Sequence, residues 1–482
     1  MAAAGAVALA GLLALAPTQA PARGETGAGA KAAPTGGRIV TEVPNIDYER
    51  YQLDNGMEVI LHSDTTVPLV AVDVWYHVGS GNETSGKSGF AHLFEHMMFQ
   101  GAKHIGKDVH FEKLRKIGAS SVNGTTNTDR TNYFEVVPSH HLETALWLES
   151  DRMGYMLDLL DDTSLGNQRD VVRNERRQRY DNVPYGKERF AIAAALYPEG
   201  HPYRYLTIGR HEDIEGATLD DVRAFFLKWY VPSNATLVLA GDFSLADGKK
   251  LVDKWFGTFP KLPRPESKPA STPSLSKTNR VEIDDPFARL TKVHYVWPSP
   301  SNLAEGEAEL EILASVLSSS GWGRLHRLLV IDREIAQSVG VYQRGMGFSG
   351  EFHVTVKLRP GHTPAEVEPL IQEVLDEVTS KPIDETELAR VVNRTEASFV
   401  WGLEELLSRA ERLQYFNHYT GDPGYTTKYI ETLRSRTTAG IREVAARVLK
   451  APRIEVITRP APEAADRAKK ATPEAKPAEA AP

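Results

Sequence analysis

Two histidines and a glutamate within five residues are the part of this sequence best suited to chemistry. His92 and His96 are four residues apart, and Glu95 lies between them. Four residues of α-helix turn the chain by about 400°, so both imidazoles and the carboxylate lie on one face. Two neutral imidazoles and a nearby carboxylate are what a catalytic zinc ion needs, namely two ligands and a general base for a bound water. The spacing therefore predicts His92 and His96 as zinc ligands and Glu95 as the catalytic base.

Paired histidines on a helix can also be ordinary core or surface residues. Apolar residues, however, surround this motif at near-helical spacing: Phe90, Leu93, Phe94, Met97 and Met98. They predict a largely buried helix, and burying two imidazoles and a carboxylate is costly unless these groups bind something. The order of the motif, inverted relative to His-Glu-x-x-His, is also a signature of one class of zinc proteases.

A catalytic zinc ion normally has three protein ligands and keeps its fourth position for water. The chain contains no cysteine, so the third ligand must be His, Asp or Glu. The best candidate is Glu175, in a segment that reads as a helix with Val171, Val172 and Glu175 close to one face. Periodicity alone leaves open that Glu175 is a plain solvated residue on an arginine-rich helix.

Further motifs follow a fixed order between residues 51 and 242. They lie at residues 53–59, 78–83, 89–92, 122–126, 201–203, 208–210 and 234–242. Together with the zinc motif they resemble the pitrilysin, insulin-degrading enzyme and mitochondrial processing peptidase family of zinc metallopeptidases, in a half-length bacterial-type form. The resemblance implies Zn²⁺ as the cofactor, and it implies Glu175 as the third ligand beside His92 and His96.

Two positions depart from the family pattern. The family often has a glutamate seven residues before the third ligand, where it supports the site, and this chain has Gln168. An amide can still hydrogen-bond a ligand but carries no charge, so we expect weaker support from Gln168. The alanine that follows the family's strand asparagine is replaced here by Gly124, after Asn123, which loosens the backbone.

The resemblance implies peptide-bond hydrolysis, in which Glu95 accepts the proton of a water molecule and passes it to the leaving amine. In the family, substrate lies as an added strand on the sheet edge that carries the asparagine motif, here residues 120–125. Asn123 and Gly124 are therefore expected to bind the peptide backbone. The expected substrates are unfolded peptides or short polypeptides that fit a closed chamber. The alternative function is a non-catalytic scaffold or core subunit of the same family.

The resemblance also implies an α+β fold with two related domains, each a mostly antiparallel sheet covered by helices, forming half of a clamshell chamber. We expect a catalytic domain at residues 45–260, a Pro-, Ser- and Lys-rich connector at 261–280, and a second, non-catalytic domain at 281–460. Hydrophobic patterns in the second domain predict the following elements: an opening strand at 291–297, a helix around 310–317, strands at 339–342 and 352–358, and helices at 364–379 and 385–415.

Both ends of the chain differ from these domains. Residues 1–20 are predicted to be a signal peptide, because a short apolar stretch precedes small-x-Ala cleavage sites, although no Lys or Arg comes before it. Residues 21–44 read as a linker and residues 461–482 as a disordered tail rich in Ala, Pro, Lys and Glu. With no cysteine to carry a lipid, these features predict a periplasmic or secreted protein without a membrane span.

The net charge of −8, with acidic and basic residues mixed, gives no reason to expect a nucleic-acid partner. The basic run at residues 169–179 is expected to be a solvated helix face. The scattered histidines of the second domain are expected to be ordinary surface or core residues.

Chain length suggests what the partner is. A chain of this length supplies only half of the four-domain chamber of the family's long members, which implies a homodimer or a heterodimer with a zinc-less sister subunit. Family members often use an Arg and a Tyr of the second domain to hold substrate. No Arg occurs at residues 350–353, where it is expected, and Arg344 and Tyr342 are out of register. We therefore expect the zinc-bearing subunit of a heterodimer, with the homodimer as the alternative.

Overall fold

The computed structural model describes residues 45–107, 109–267 and 269–462, so the expected signal peptide, the expected linker at 21–44 and most of the expected tail lie outside it. The strands of the first half are β1 (Glu49–Gln52), β2 (Glu58–Ser63), β3 (Leu69–Tyr76), β4 (Ser120–Thr126), β5 (Thr131–Pro138) and β6 (Ala235–Gly241). Its helices are α1 (Phe90–Met97), α2 (Val109–Lys116), α3 (Leu142–Tyr155), α4 (Asp162–Arg176), α5 (Glu188–Leu196), α6 (His211–Glu215), α7 (Leu219–Trp229) and α8 (Leu245–Phe256).

These six strands form one sheet in the order β1-β2-β6-β3-β5-β4. Strands β2 and β6 run parallel, and the other neighbours are antiparallel. Strand β6 is buried along its whole length, as an apolar central strand should be. Strand β4 lies at an edge, and among the described residues only β5 pairs with it. The sheet therefore has an open edge at the segment that carries Asn123 and Gly124.

The second half repeats this architecture. Its strands are β7 (Asn279–Asp285), β8 (Lys292–Ser299), β9 (Ala336–Gly345), β10 (Gly350–Leu358) and β11 (Ile454–Pro460). Its helices are α9 (Glu307–Ser318), α10 (Arg324–His326), α11 (Pro364–Ser380), α12 (Glu385–Gly402), α13 (Leu406–Thr420), α14 (Thr426–Arg434) and α15 (Thr438–Leu449). None of the described helices is long and apolar enough to cross a membrane.

The two sheets have the same topology once β1 is set aside. The second sheet has the order β7-β11-β8-β10-β9, with one parallel pair, β7 and β11, followed by antiparallel neighbours. Helix α1 follows β3 and helix α9 follows β8, and each begins after a glycine in the left-handed region, Gly89 (φ 87°) and Gly306 (φ 93°). The predicted α+β class, with two mostly antiparallel sheets covered by helices, is confirmed.

Each half contributes a helix to the sheet of the other half. Helix α13 packs on β3 and β6, where Gln414 donates through Nε2 to the carbonyl oxygens of Asp73 and Thr236, both at 2.9 Å. Helix α5 packs on β11 and β7, and its Ile192 belongs to a buried apolar cluster with Val456. The halves therefore share buried surface on both sheets.

Two details of the second half correct the sequence prediction. It opens with β7 rather than at 291–297, because the alternating segment Asn279–Asp285 pairs in parallel with β11. The single helix expected at 385–415 is two helices, since α12 ends at Gly402 and α13 begins at Leu406. Glycine weakens a helix at this point, and the change of direction lets α13 reach the first sheet. The strands and helices expected at 310–317, 339–342, 352–358 and 364–379 are confirmed.

Candidate metal centre

Helix α1 carries the zinc motif, and its first turn is held by neighbouring segments. The carboxylate of Glu83 accepts hydrogen bonds from the backbone N–H of Gly89 (2.9 Å) and of Ala91 (2.8 Å), groups that have no partner within the helix. Gly209 packs so closely that a Cβ on it would lie 2.5 Å from the Cα of Gly89. Every residue of α1 except His96 is buried. The predicted buried helix is thus present, with its start fixed from two sides.

Helix α4 brings Glu175 to the same place. It begins at an Asp161 cap whose side chain accepts from the backbone N–H of Ser164 at 2.8 Å, and it packs against α1. Glu175 Oε2 lies 3.5 Å from His92 Nε2 and 3.3 Å from His96 Nε2, and the two Nε2 atoms are 3.3 Å apart. The three side chains predicted as ligands therefore converge, although Glu175 is far from the motif in sequence.

The spacing of these three atoms fits a zinc ion. Ligand atoms about 2.1 Å from a tetrahedral zinc lie about 3.4 Å from one another. The observed separations of 3.3, 3.3 and 3.5 Å match that triangle. The donor set of two imidazoles and one carboxylate is also one that catalytic zinc sites use, with a fourth position left for water.

The protonation states suit metal binding as well. Burial, followed by the neighbouring His96, lowers the pKa of His92 to about 3, so its imidazole is neutral. Burial opposes ionisation of Glu175, but its hydrogen bond with His96 and the charges around it lower its pKa to about 2. A neutral imidazole on His92 and an ionised carboxylate on Glu175 are the forms that coordinate a metal ion.

Glu95 lies beside this triangle and next to the open sheet edge. Its side chain is buried, burial raises its pKa, and its Oε2 has no hydrogen-bond partner among the described residues. A Cβ on Gly124 of β4 would lie 3.2 Å from Glu95 Cγ, and 3.0 Å from a ring carbon of Phe99. The glycine therefore gives Glu95 room against the edge strand, in addition to loosening the backbone. A carboxylate with a free oxygen and a raised pKa is suited to accept a proton.

The other predicted site residues are placed nearby. Asn123 and Gly124 lie on β4 opposite Phe134 and Tyr133 of β5, so their other side faces the open edge. Gln168 is buried on α4 two turns before Glu175, but no hydrogen bond joins its side chain to the three candidate ligands within the described residues. The roles of these three residues stay predictions.

Arg179 is a site residue that sequence reasoning did not assign. Immediately after α4 the chain forms a π-helical turn, Arg177–Asp181, and within it Arg179 Nη1 lies 2.6 Å from Glu175 Oε1. One oxygen of Glu175 thus faces the histidines while the other is held by a guanidinium. The signal was available, since Glu and Arg four residues apart on a helix commonly pair.

Most of the basic run at residues 169–179 is likewise engaged within the chain. Arg173 pairs with Glu215 at 2.7 Å, and Arg169 donates to the carbonyl oxygen of Glu215 at 3.0 Å. Arg176 donates to the carbonyl of Gly209, which packs against the start of α1. The expected solvated basic face is therefore wrong for most of this run, because these side chains tie α4 to the segment around α6.

A second group of potential ligands is an ion-pair cluster. His110, Glu135 and Glu149 are buried and offer ligand atoms within 4.8 Å of one another. The guanidinium of buried Arg152, however, donates to both oxygens of Glu149, with Nε to Oε2 at 2.9 Å. A carboxylate held in this way is not free to bind a metal ion. Arg152 also lies 4.3 Å from the ring centroid of Tyr133, so the cluster braces the strand beside β4.

Comparison with known families places these features in context. A model described as "Insulinase (Peptidase family M16)" matches residues 58–196, which include the three candidate ligands, and one described as "Peptidase M16 inactive domain" matches residues 216–395. The two matches together span about two thirds of the chain. The chain belongs to the peptidase M16 family. The resemblance predicted from the sequence is thereby confirmed. The insulinase model matches the first half of the chain, which contains the candidate ligands.

Individual M16 relatives agree with this assignment. The zinc protease PqqE of Helicobacter pylori is 29% identical over 366 residues, covering 74% of this chain and 80% of PqqE. A crystal structure of a protease from Helicobacter pylori has the same fold, with a TM-score of 0.81 and 24% identity, covering 86% of this chain and all of that one. The periplasmic protease PqqL of Escherichia coli matches with a TM-score of 0.72 and 18% identity, over 89% of this chain and 49% of PqqL.

Proposed function

We propose that this chain is a zinc-dependent endopeptidase that hydrolyses unfolded peptides or short polypeptides bound as an edge strand. The observation that carries the proposal is the tetrahedral spacing of three side-chain ligand atoms, from His92, His96 and Glu175, next to a free carboxylate oxygen of Glu95. The zinc-protease names of M16 relatives support the same cofactor.

In the proposed hydrolysis, three residues would bind zinc and a fourth would transfer a proton. His92, His96 and Glu175 would hold zinc, which when bound would acidify a water molecule and polarise the scissile carbonyl. Glu95 would accept the proton of that water on its free oxygen and donate it to the leaving amine. The raised pKa of Glu95, caused by burial, helps the second step, because it lets the carboxyl hold the proton until the leaving amine accepts it.

Strand β4 would bind the peptide. Its backbone groups on the side away from β5 have no strand partner among the described residues, so an extended peptide can pair with Asn123 and Gly124. Gly124 lies against Glu95, and a peptide on this edge would pass the catalytic carboxylate. Backbone pairing recognises an extended conformation more than a sequence, which favours unfolded substrates.

The alternative is a non-catalytic scaffold or core subunit, and it has one specific observation in its favour. The model that matches residues 216–395 is that of an inactive domain. A scaffold gives no reason, however, for three side-chain ligand atoms to converge at the spacing of a zinc site beside the buried carboxylate of Glu95.

The experiment that separates these functions uses Glu95→Gln. Purified chain loaded with zinc is incubated with a mixed peptide library, with Glu373→Gln, an exposed residue of α11, as the matched control. We expect cleavage by the wild type and the control, and zinc retention with loss of nearly all turnover in Glu95→Gln. Near-native turnover in Glu95→Gln would refute the general-base assignment.

We further propose that the chain acts as the zinc-bearing subunit of a dimer outside the cytoplasm. Its Arg344 lies 3.2 Å from Glu351 Oε2 and the ring of Tyr342 stacks on His353, so both candidate substrate-holding residues are engaged within the chain. A partner subunit would then supply the Arg and Tyr. Size-exclusion mass of the isolated chain, compared with co-purification from its host, distinguishes a homodimer from a heterodimer, and a stable active monomer would contradict both. The periplasmic location of PqqL supports the proposed compartment.

A further inference from the structure

A polar cavity of about 360 Å³ lies outside the candidate metal centre. It is bounded by the start of β2, the start of β6, the residue that follows β3, the C-terminal end of α13 and the connector. Its lining includes Glu58, His77, Thr236, Arg264 and His418. None of the candidate zinc ligands lines it, so the cavity has no part in the proposed hydrolysis.

A chain of hydrogen bonds with a single direction leads into this cavity. Glu58 is ion-paired with Arg50, and its carboxylate can only accept, so the hydroxyl of Thr236 donates to it at 3.2 Å. The Thr236 oxygen must then accept from His77 Nε2, which lies 2.9 Å away. With its proton on Nε2, neutral His77 has a lone pair on Nδ1, and His418 Nδ1 donates to it at 2.7 Å.

This direction fixes the state of His418. Its proton is on Nδ1, so its Nε2 carries a lone pair, and Nε2 has no partner among the described residues. Burial, with Arg130 and Arg264 acting against Asp129, lowers the pKa of His418 to about 4, and burial with His418 and Arg264 lowers that of His77. Both imidazoles are therefore neutral near neutral pH, and the hydrogen-bond chain ends in a hydrogen-bond acceptor.

Donors line the same cavity. Arg264 makes no ion pair or hydrogen bond with any described residue, whereas the charge of Arg50 is already neutralised by Glu58. The hydroxyl of Ser233, which also lines the cavity, is buried without a partner. An unpaired guanidinium and a free hydroxyl suit an oxyanion, and the lone pair of His418 suits an O–H group.

We propose that this cavity binds a small oxyanion that carries its own proton near neutral pH, namely inorganic phosphate. The guanidinium of Arg264 and the hydroxyl of Ser233 donate to the oxygens, and the phosphate O–H donates to His418 Nε2. Sulfate has the same size and shape but no proton near neutral pH, so it meets the lone pair of His418 with another lone pair. The cavity therefore discriminates between the two anions by hydrogen-bond direction, not by size.

Isothermal titration of the full chain near neutral pH tests this site, with inorganic phosphate, phosphoserine and sulfate as separate ligands. We expect saturable binding of inorganic phosphate. Sulfate and phosphoserine should bind more weakly by roughly tenfold or more, since both anions are mostly without a proton near neutral pH and the hydrogen bond to His418 is lost. Because protonation of His418 turns its acceptor into a donor, sulfate binding should strengthen as the pH falls toward the pKa of about 4.

Variants locate the site. Arg264→Gln, on the exposed connector, should weaken phosphate binding by roughly tenfold or more. Arg333→Gln, an equally exposed arginine outside the cavity, should leave it unchanged. His418→Phe keeps a ring stacked on His77 and should bring phosphate and sulfate to equal affinity. Absence of saturable phosphate binding, equal binding of sulfate by the wild type, or unchanged binding by Arg264→Gln would each overturn the proposal.

Discussion

Replacing Arg179 with methionine measures how much this residue contributes to zinc affinity. Arg179 contacts the oxygen of Glu175 that does not face the two histidines. The guanidinium contacts Glu175 Oε1 at 2.6 Å, while Glu175 Oε2 faces His92 and His96 at 3.5 and 3.3 Å. Methionine keeps much of the side-chain length but removes the charge and every donor. Glu175 is then free to rotate out of the ligand triangle.

Two effects of opposite sign decide the magnitude. Loss of a side chain that contacts a metal ligand typically lowers metal affinity by about 10–100-fold, or ~1.4–2.7 kcal/mol. The Arg179 side chain is 41% exposed, so solvent screens the pair and the lower end of this range applies. Removal of a positive charge near a cation raises its affinity, but between partly exposed groups this term is ~1 kcal/mol or less. We therefore expect a net loss of zinc affinity of about two- to tenfold.

Competition with a fluorescent zinc chelator measures this affinity without reference to peptidase activity. Arg177→Met is the matched control, because Arg177 is an exposed neighbour whose Nη1 bonds Asn174 rather than Glu175. It carries the same change of charge and should leave zinc affinity unchanged or slightly raised. Arg179→Lys should recover part of the loss, since an ammonium can still pair with Glu175. Equal affinities of Arg179→Met and Arg177→Met would refute the assigned role.

Three further predictions concern stability. Burial raises the pKa of Glu135 to about 7, so the folded state keeps a proton that the unfolded chain releases at about pH 4.3, and stability falls as the pH rises from about 4.3 to about 7. Glu135→Gln should flatten this decline in urea unfolding, and an unchanged slope would contradict the assignment. Gly209→Ala should lower both the melting temperature and the zinc affinity, because its Cβ would push on Gly89. The control is Gly361→Ala, which is also at positive φ but has nothing within 4 Å of its Cβ, so its melting temperature should fall only by the smaller cost of the backbone conformation. Equal decreases in the two variants would exclude the close contact as the cause. Gln414→Leu should lower the free energy of unfolding by about 2 kcal/mol, because it removes the two hydrogen bonds that join α13 to the first sheet. No change in the free energy of urea unfolding would argue that the halves are held by apolar packing alone.

The metal centre divides into a part that sequence spacing could predict and a part that it could not. The two histidines and Glu95 lie within one helical turn and a half, so local geometry alone puts them on one face. Glu175 is on another helix, and its approach depends on how α4 packs against α1, which no local pattern encodes. Local periodicity made Glu175 only a candidate, and the family pattern then identified it as the third ligand. Arg179 lay within local reach of Glu175, yet its pairing was missed because an arginine-rich run reads as solvated.

The fold divides in the same way. Strand and helix positions follow from periodicity, and most of those expected in the second half are present. The exchange of helices between the halves was not predicted, because an apolar face on α5 or α13 says that the helix covers a sheet but not which sheet. That choice is made by long-range contacts such as those of Gln414 with the backbone of β3 and β6. The break between α12 and α13 belongs to the same exchange, since a continuous helix would not turn onto the first sheet.

The second half provides an internal comparison for the zinc motif. Helix α9 follows β8 as α1 follows β3, and both begin after a left-handed glycine. Counted from that glycine, the positions of the two histidines and the glutamate are occupied in α9 by Glu309, Leu313 and Ile312. Glu309 is paired with Arg436 at 2.6 Å, while Ile312 and Leu313 are buried in the apolar core. This topology therefore holds its central helix in place without imidazoles, and the carboxylate at the first histidine position is ion-paired with an arginine. The polar groups on α1 are not required by the fold, which supports a chemical role for them and one such site within the described residues.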